Sequence, residues 1–332
     1  SLAAAEALIE RLRPTRIEWS YVTDRQQIAR LRGDGEAVFV AALNTISPPG
    51  RARTFDGEPV VAPWMRAYGG PASRSHYMCQ NCPADVQARV DQALLMIEAG
   101  VTDAFQHDDW YGNAQMLSFG QPCFCEHCVA AFAEYLGIDL DYRRYLLRRG
   151  LRSQDELLQQ AARGAVPLWD DFRRFAEFTV SRYFRRLRAA MDRFLGRPAT
   201  LSVNGSVAGF GGNIETILPH VAYFHGETSD FSPAGLRKLA IASRRLGVRQ
   251  VVSFFPSVPA AEFHAPAFVA RVNAAIALCY CLGLLPLFPY DVWAGPKKPG
   301  CFGTWEQYGA AYRVVREHPE WFDEYRWQRI RL

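Results

Sequence analysis

The sequence lacks a long apolar run. A helix needs roughly 20 consecutive, mainly apolar residues to cross a bilayer, and the longest candidate, residues 274–288, is shorter and contains a proline. Residues 1–12 have the pattern of a helix, and they lack the basic start and apolar block of a signal peptide. We therefore expect no membrane partner, and the start of the chain does not indicate a compartment.

A block of charge of one sign is also missing. The formal net charge is +4, from 38 Lys and Arg residues against 34 Asp and Glu residues. The densest basic stretch, residues 143–193, is interrupted throughout by acidic and apolar side chains. This pattern is typical of a solvated helix face rather than of a nucleic-acid-binding patch, so we expect no nucleic-acid partner.

No glycine-rich phosphate loop follows a candidate strand, and no internal repeat or low-complexity linker divides the chain. The first absence argues against a doubly wound open sheet, which stays open as an alternative fold, and the second argues against several domains. We predict a single domain over residues 1–332, in which residues 139–166 form an insertion with short helices of its own.

The sequence does contain a regular alternation of short β-rich runs with longer helical patterns. Most of the runs are nearly continuous in apolar residues, as parallel strands covered on both faces are. This predicts an α/β fold, and the chain length suits a (β/α)8 TIM barrel. Seven strands are one fewer than a closed barrel needs, so we expect the first barrel strand to be missing or unrecognised. The candidate strands are residues 16–22, 37–43, 102–107, 200–204, 223–227, 250–255 and 285–290.

Five of the eight cysteines form two groups, Cys79 with Cys82 and then Cys123, Cys125 and Cys128. Thiolates bind zinc at about 2.3 Å and must converge on it, which suits three thiols within one tight turn. Disulfides between neighbours would leave one of five thiols over, and free thiols are the remaining alternative. We expect a structural zinc with four cysteine ligands, to which one member of the first pair contributes.

The segments around these cysteines resemble glycoside hydrolase family 42, the β-galactosidases. The resemblance lies in HYMCQNCP at residues 76–83, CFCEHC at residues 123–128 and AFAEYL at residues 131–136. In that family a cysteine in a His-Tyr-Cys context joins a C-x-C-x-x-C group to bind zinc beside the active-site mouth. The resemblance implies that Cys82 is not a ligand and that the zinc is bound by Cys79, Cys123, Cys125 and Cys128.

The resemblance does not extend to the catalytic residues of the family. Its members have an Asn-Glu pair after the fourth strand and a nucleophilic Glu after the seventh. The corresponding ends here read His107-Asp108-Asp109 and, at residues 254–257, FFPS, with Glu262 later in the loop. We therefore take over the barrel and the zinc site as expectations, but neither the catalytic pair nor the galactose specificity.

Carboxylates follow two of the candidate strands. Barrel enzymes have their active sites at the C-terminal ends of strands, where Asp108 and Asp109 follow the third run and Glu227 ends the fifth. A glycosidase uses one carboxyl group to protonate the leaving oxygen and another to attack the sugar or activate water. We predict that Glu227 and one of the two aspartates are catalytic, since neighbours in an extended segment point to opposite sides. Asp109 has an alternative role as a helix N-cap.

Polar and aromatic residues at the same strand ends predict sugar binding. They are Glu18, Trp19, His107, Trp110, Asn204, Tyr290, Asp291 and Trp293.

The sequence thus predicts a glycoside hydrolase that acts on a poly- or oligosaccharide. One alternative is a metal-dependent hydrolase with His107, Asp108, Asp109 and His225 as ligands. The other is a carbohydrate-binding barrel without catalysis. Cysteine-bound zinc suits a reducing cytoplasm, whereas a polymeric substrate suits the outside of the cell, so the compartment stays open with a preference for an extracytoplasmic one. The oligomeric state is open as well.

Overall fold

A computed structural model describes residues 2–32, 37–44, 50–63, 76–101, 103–208, 214–255, 258–288 and 303–318 of the chain. Seven strands form one sheet in the order in which they occur in the chain, and each neighbouring pair is parallel. The strands are β1 (Arg16–Ser20), β2 (Val38–Asn44), β3 (Ala104–Asp108), β4 (Leu201–Asn204), β5 (Tyr223–Thr228), β6 (Arg249–Phe254) and β7 (Leu285–Pro286). Each lies within a predicted run or extends it by one residue.

Helices connect these strands, and local capping decides where several of them begin. The side chains of Asp141, Ser153 and Ser232 accept hydrogen bonds from backbone N–H groups of the first turn. The helices are α1 (Leu2–Leu12), α2 (Arg25–Arg32), α3 (Pro83–Glu98), α4 (Gly112–Ser118), α5 (Glu126–Leu136), α6 (Tyr142–Arg148), α7 (Gln154–Ala162), α8 (Trp169–Leu195), α9 (Pro233–Leu246), α10 (Pro266–Leu282) and α11 (Trp305–Glu317). Among the described residues, no helix combines the length and the hydropathy that crossing a membrane requires.

One face of the sheet packs against helices to form the main apolar core. Alternate residues of a strand point to the same side, and Phe39, Phe105 and Phe224 lie on the covered side with at most 1% of their surface exposed. Helix α8 adds Tyr183 and Phe184 to this core. Burying a phenylalanine stabilises a protein by about 1.5–3 kcal/mol relative to leaving it exposed, so these contacts hold α8 on the sheet.

The other face of the sheet is concave and polar. Arg16 on β1 donates a hydrogen bond to the hydroxyl of Tyr223 on β5 at 2.8 Å. Glu18 on β1 lies 3.5 Å from Nδ1 of His225, also on β5. In a flat sheet, four steps of about 4.8 Å would hold these strands about 19 Å apart. The contacts therefore require a strongly curled sheet.

The prediction of a closed (β/α)8 TIM barrel is wrong. The strands form an open, curled half-barrel whose edges are β1 and β7, and these two edges do not pair with each other within the described ranges. Open sheets and closed barrels share the same alternation of strands and helices, so the sequence pattern could not separate them. The missing phosphate loop was therefore a poor argument against an open sheet, since only sheets that bind nucleotides need such a loop.

The predicted insertion at residues 139–166 contains α6 and α7. These helices pack with α5 and the first part of α8 around a second apolar cluster. At its centre, the ring of Phe132 lies 4.9 Å from that of Tyr142 and 5.1 Å from that of Phe172. Helix α8 thus joins the insertion to the main core.

We expect Phe132→Ala to lower the free energy of unfolding by about 3–5 kcal/mol, because it leaves a cavity in this second cluster. Phe132 is 0% exposed, whereas Phe178 on α8 is 41% exposed. Phe178→Ala is the matched control and should cost about 1 kcal/mol or less. Urea unfolding followed by circular dichroism measures both. Equal losses of unfolding free energy in the two variants would contradict the packing of this second cluster.

Candidate functional site

Three carboxylates meet at the carboxyl end of the curled sheet. Asp108 ends β3, Asp109 follows it, and Glu227 lies near the end of β5. The charges of Asp108 and Glu227 both act on Asp109, so the three carboxyl groups lie near one another at this end of the concave face, which we call the cleft. This edge is where open α/β sheets bind their ligands, since the loops after the strands converge there.

Asp108 is held by three hydrogen-bond donors. Its Oδ2 accepts from the Tyr21 hydroxyl at 2.8 Å, and its Oδ1 accepts from Asn204 Nδ2 at 2.7 Å and from the Asp109 backbone N–H at 3.0 Å. Burial raises the pKa of Asp108, while these donors favour the ionised form and oppose that rise. The result is a fixed carboxylate directly beside Asp109.

Asp109 occupies a different environment from its neighbour. Its backbone φ is +46°, a conformation that costs a residue other than glycine on the order of 1–3 kcal/mol. The residue is partly buried. Burial and the nearby charges of Asp108 and Glu227 raise the pKa of Asp109 well above its usual range. This environment therefore favours the protonated form of Asp109 more strongly than water does.

Glu18 lies on the floor of the cleft between β1 and β5. It accepts a hydrogen bond from Arg16 Nε at 2.7 Å and another from the Tyr223 hydroxyl at 3.2 Å. Burial opposes its ionisation, but the contacts with His225 and Arg16 outweigh burial and lower the pKa of Glu18. Glu18 is thus an ion-paired anion with a side chain only 2% exposed.

Trp19 lies near the end of β1, beside the carboxylates. Its backbone φ is +58°, and its ring meets that of His225 edge to face, with 4.8 Å between centroids. Its Nε1 donates to the hydroxyl of Tyr21 at 3.3 Å, and Tyr21 in turn bonds Asp108. An aromatic ring in this place is suited to stacking on the apolar face of a sugar.

Two predicted sugar-binding residues do not point into the cleft. His107 is 0% exposed on the covered face of the sheet, where its Nε2 lies 2.6 Å from the hydroxyl of Tyr183 on α8. Burial lowers the pKa of His107 to about 3. Trp110 is 1% exposed, and its Nε1 donates to the backbone oxygen of Asn204 at 2.8 Å. Both side chains therefore pack inside the protein next to Asp108 and Asp109 and bond other protein groups.

The remaining predicted residues of the last strand end, Tyr290, Asp291 and Trp293, lie outside the described residues. Their roles stay predictions. Conversely, Tyr21 was not predicted, although it touches both Trp19 and Asp108. The signal that could have identified Tyr21 is a polar aromatic residue directly after the end of β1.

The four cysteines predicted as metal ligands converge at one place. Their Sγ atoms all lie within 4.8 Å of one another, all four residues are buried, and none forms a disulfide. Four sulfurs about 2.3 Å from a shared ion would lie about 3.8 Å apart, which fits this spread. Cys82 is buried as well but lies outside the group. The group consists of Cys79, Cys123, Cys125 and Cys128.

The chemistry of this group also suits a cation. Burial raises the pKa of the Cys79 and Cys128 thiols, and a bound metal ion deprotonates its thiol ligands. Asn113 Nδ2 and Asn81 Nδ2 donate to Cys128 Sγ at 3.0 and 3.2 Å, as donors around a thiolate ligand do. Neither asparagine was predicted, although the polar pair between Cys79 and Cys82 in the sequence was a hint.

No protein-family model and no curated protein matches the chain. The resemblance to glycoside hydrolase family 42 therefore depends on the sequence motifs alone and stays a prediction. Any functional assignment has to be argued from the cleft itself.

The raised pKa of Asp109 predicts a pH-dependent stability gain for Asp109→Asn. In the unfolded chain Asp109 loses its proton near pH 4, whereas the folded protein retains it to higher pH. The folded state then binds more protons, so its stability falls as the pH rises from about 4 to the folded pKa. Asparagine has no proton to lose and avoids this loss.

Thermal unfolding of the parent and of Asp109→Asn between pH 3 and pH 9 measures this effect. The difference in Tm should be small below about pH 4 and grow in favour of the variant above it, by about 1.4 kcal/mol for each unit by which the pKa is raised. The exposed Asp139 provides the control variant Asp139→Asn, for which no such growth is expected. A difference that is constant with pH would contradict a protonated Asp109.

Proposed function

We propose that the protein is a glycoside hydrolase acting on a poly- or oligosaccharide. In this proposal Asp109 is the general acid that protonates the leaving oxygen, and Glu227 attacks the sugar or activates water. The observation that carries the proposal is the cleft shared by Asp109 and Glu227, in which burial and neighbouring charge raise the pKa of Asp109. A carboxyl group that stays protonated beside a second carboxylate is what this reaction requires.

The surroundings of the pair support a carbohydrate ligand. Sugar sites combine a few directed polar groups with apolar or aromatic surface. Asp108, Asn204 and Tyr21 form a hydrogen-bonded polar group beside Asp109, and Trp19 adds an aromatic ring to the same end of the sheet. These groups can bind sugar hydroxyls while the two carboxyl groups act on the glycosidic bond.

Neither alternative function receives specific support. A metal-dependent hydrolase that uses His107 as a ligand would need this side chain in the cleft, but it faces α8. A protein that only binds sugar has no use for Asp109 in a strained backbone conformation, which persists where a structure uses it. Hydrolysis explains both the strain and the raised pKa of this residue.

For the four-cysteine group we propose a structural zinc ion. An all-thiolate tetrahedral set suits zinc, and four protein ligands leave no open position for water or substrate. When bound, the ion neutralises the thiolates and cross-links two segments, residues 79–82 and 123–128, that are distant in the sequence. Its contribution is therefore to stability and position rather than to the chemical step.

Asp109→Asn and Glu227→Gln should each lower kcat/KM on a natural glycan by about 10²–10⁴-fold. An aryl glycoside with a good leaving group needs little protonation, so Asp109→Asn should lose much less activity on such a substrate, whereas Glu227→Gln should lose it on both. The measurement is initial rates over a panel of polysaccharides and nitrophenyl glycosides.

Glu262→Gln is the matched control, since Glu262 is an exposed carboxylate in the loop after β6, and its rates should equal those of the parent. Full activity of Glu227→Gln would remove the proposed pair. Sugar binding without turnover by the parent protein would favour the binding-only function.

The metal proposal predicts one zinc ion per chain, lost in Cys128→Ser. Cys82→Ser is the matched control, because Cys82 is equally buried at 1% exposure but is not in the group. Elemental analysis after dialysis should find zinc in the parent and in Cys82→Ser but not in Cys128→Ser. Equal loss in both serine variants would mean that the stated ligand set is wrong.

A further inference from the structure

A continuous path of hydrogen bonds leads from the four-cysteine group toward the carboxylates. It begins at Asn113, whose Nδ2 donates to Cys128 Sγ at 3.0 Å. Asn113 is bound to Gln80 twice: its Oδ1 accepts from the Gln80 backbone N–H at 2.9 Å, and its own backbone N–H donates to Gln80 Oε1 at 3.0 Å. Asn113 and Gln80 are 4% and 1% exposed, so water competes little for these bonds.

Gln80 extends the path to the loop that contains Asp109. Its Nε2 donates to the backbone oxygen of Trp110, the residue after Asp109, at 3.0 Å. Gly112 leaves the space that this amide fills, because a Cβ at that position would lie 2.4 Å from Gln80 Cδ. A side chain at residue 112 would therefore displace Gln80 from Trp110.

The path ends at Asp108. Trp110 Nε1 donates to the backbone oxygen of Asn204 at 2.8 Å, and Asn204 Nδ2 donates to Asp108 Oδ1 at 2.7 Å. Between these bonds lies Asp109 with its positive φ, a conformation that only its surroundings can maintain. The bonds made by Trp110 and Asp108 restrain Asp109 from both sides.

We propose that Gln80 and Asn113 are positioning residues that couple metal occupancy to the geometry of Asp108 and Asp109. A bound metal ion fixes the Cys128 sulfur, which fixes Asn113 and, through Gln80, the Trp110 carbonyl. Loss of the metal releases this restraint on the strained residue. Coupling is reciprocal, so a change at the carboxylates must also change the metal affinity. The proposal rests on the metal centre proposed above but does not require glycoside hydrolysis.

The test is a double-mutant cycle on zinc affinity, measured by competition with a chromophoric chelator. Asn204 bonds Asp108 through its side chain and Trp110 through its backbone oxygen, so Asn204→Ala removes only the bond to Asp108. Among the described residues, Asn204 has no hydrogen bond to a sulfur atom. We nevertheless expect Asn204→Ala to weaken zinc binding by about fivefold. Gln80→Met keeps the size of the side chain and removes its two amide hydrogen bonds. In that background Asn204→Ala should change zinc affinity by less than about twofold.

Gln154→Met is the matched control for Gln80→Met. Gln154 also bridges two backbone groups, accepting from the Phe55 N–H at 3.0 Å and donating to the Gly120 oxygen at 2.7 Å, but it lies off the path. The effect of Asn204→Ala should persist in that background. If Gln80→Met does not fold, Gly112→Ala breaks the path a second way. The thiolate-to-metal charge-transfer band of the Co²⁺-loaded variants verifies that all four sulfurs remain ligands.

The outcomes separate the two proposals. An Asn204→Ala effect that survives Gln80→Met, or that is absent in the parent background, overturns the coupling and leaves the metal centre in place. Absence of stoichiometric zinc in the parent overturns the metal centre and the coupling with it. A protein that shows the coupling but hydrolyses no glycan would overturn only the proposed activity.

Discussion

Carboxyl groups crowded on the concave face of the sheet are the constraint on which the rest of this structure depends. Each carboxyl group meets the cost of burial in its own way. Asp108 accepts three donated hydrogen bonds, Glu18 lies beside Arg16 and His225, and the pKa of Asp109 is raised well above its usual range. Glu18 lies on β1 and its partner His225 lies on β5. The two side chains can meet only because the sheet curls.

The residues and the helix beneath the cleft hold these carboxyl groups in place. His107 and Trp110 are buried beneath the carboxylate loop, and each uses its polar atoms on a neighbouring element rather than on a ligand. Helix α8 packs on the sheet with one part and on the insertion with another, and its Arg182 donates to Asn81 beside the cysteines at 2.6 Å. The four-cysteine group and the cleft are therefore parts of one packed unit.

The proposed chemistry and the observed strain fit together physically. Asp109 has both an unfavourable backbone conformation and an unfavourable electrostatic environment, and either alone would favour a different residue there. Proteins tolerate such positions when the surrounding packing holds them and function uses them. Here the surrounding hydrogen bonds begin at a cluster of cysteines, so the proposed coupling joins the four-cysteine group to the geometry of Asp109.

Local pattern in the sequence was sufficient for the strands and for the three cysteines of residues 123–128, whereas Cys79 as the fourth member was implied by the family resemblance. Apolar runs of period two or 3.6 report directly on which backbone conformation buries them, and the spacing of Cys123, Cys125 and Cys128 reports on a tight turn. The sequence could not determine whether the sheet closes, because barrels and open sheets bury the same runs. Nor could it show that His107 faces α8 while Asp108 faces the cleft, since alternation puts neighbours on opposite sides of a strand without saying which side the helices cover. Gln80 and Asn113 were missed for a related reason: their partners are distant in the chain, and only the tertiary structure brings a buried amide to the one carbonyl it can satisfy.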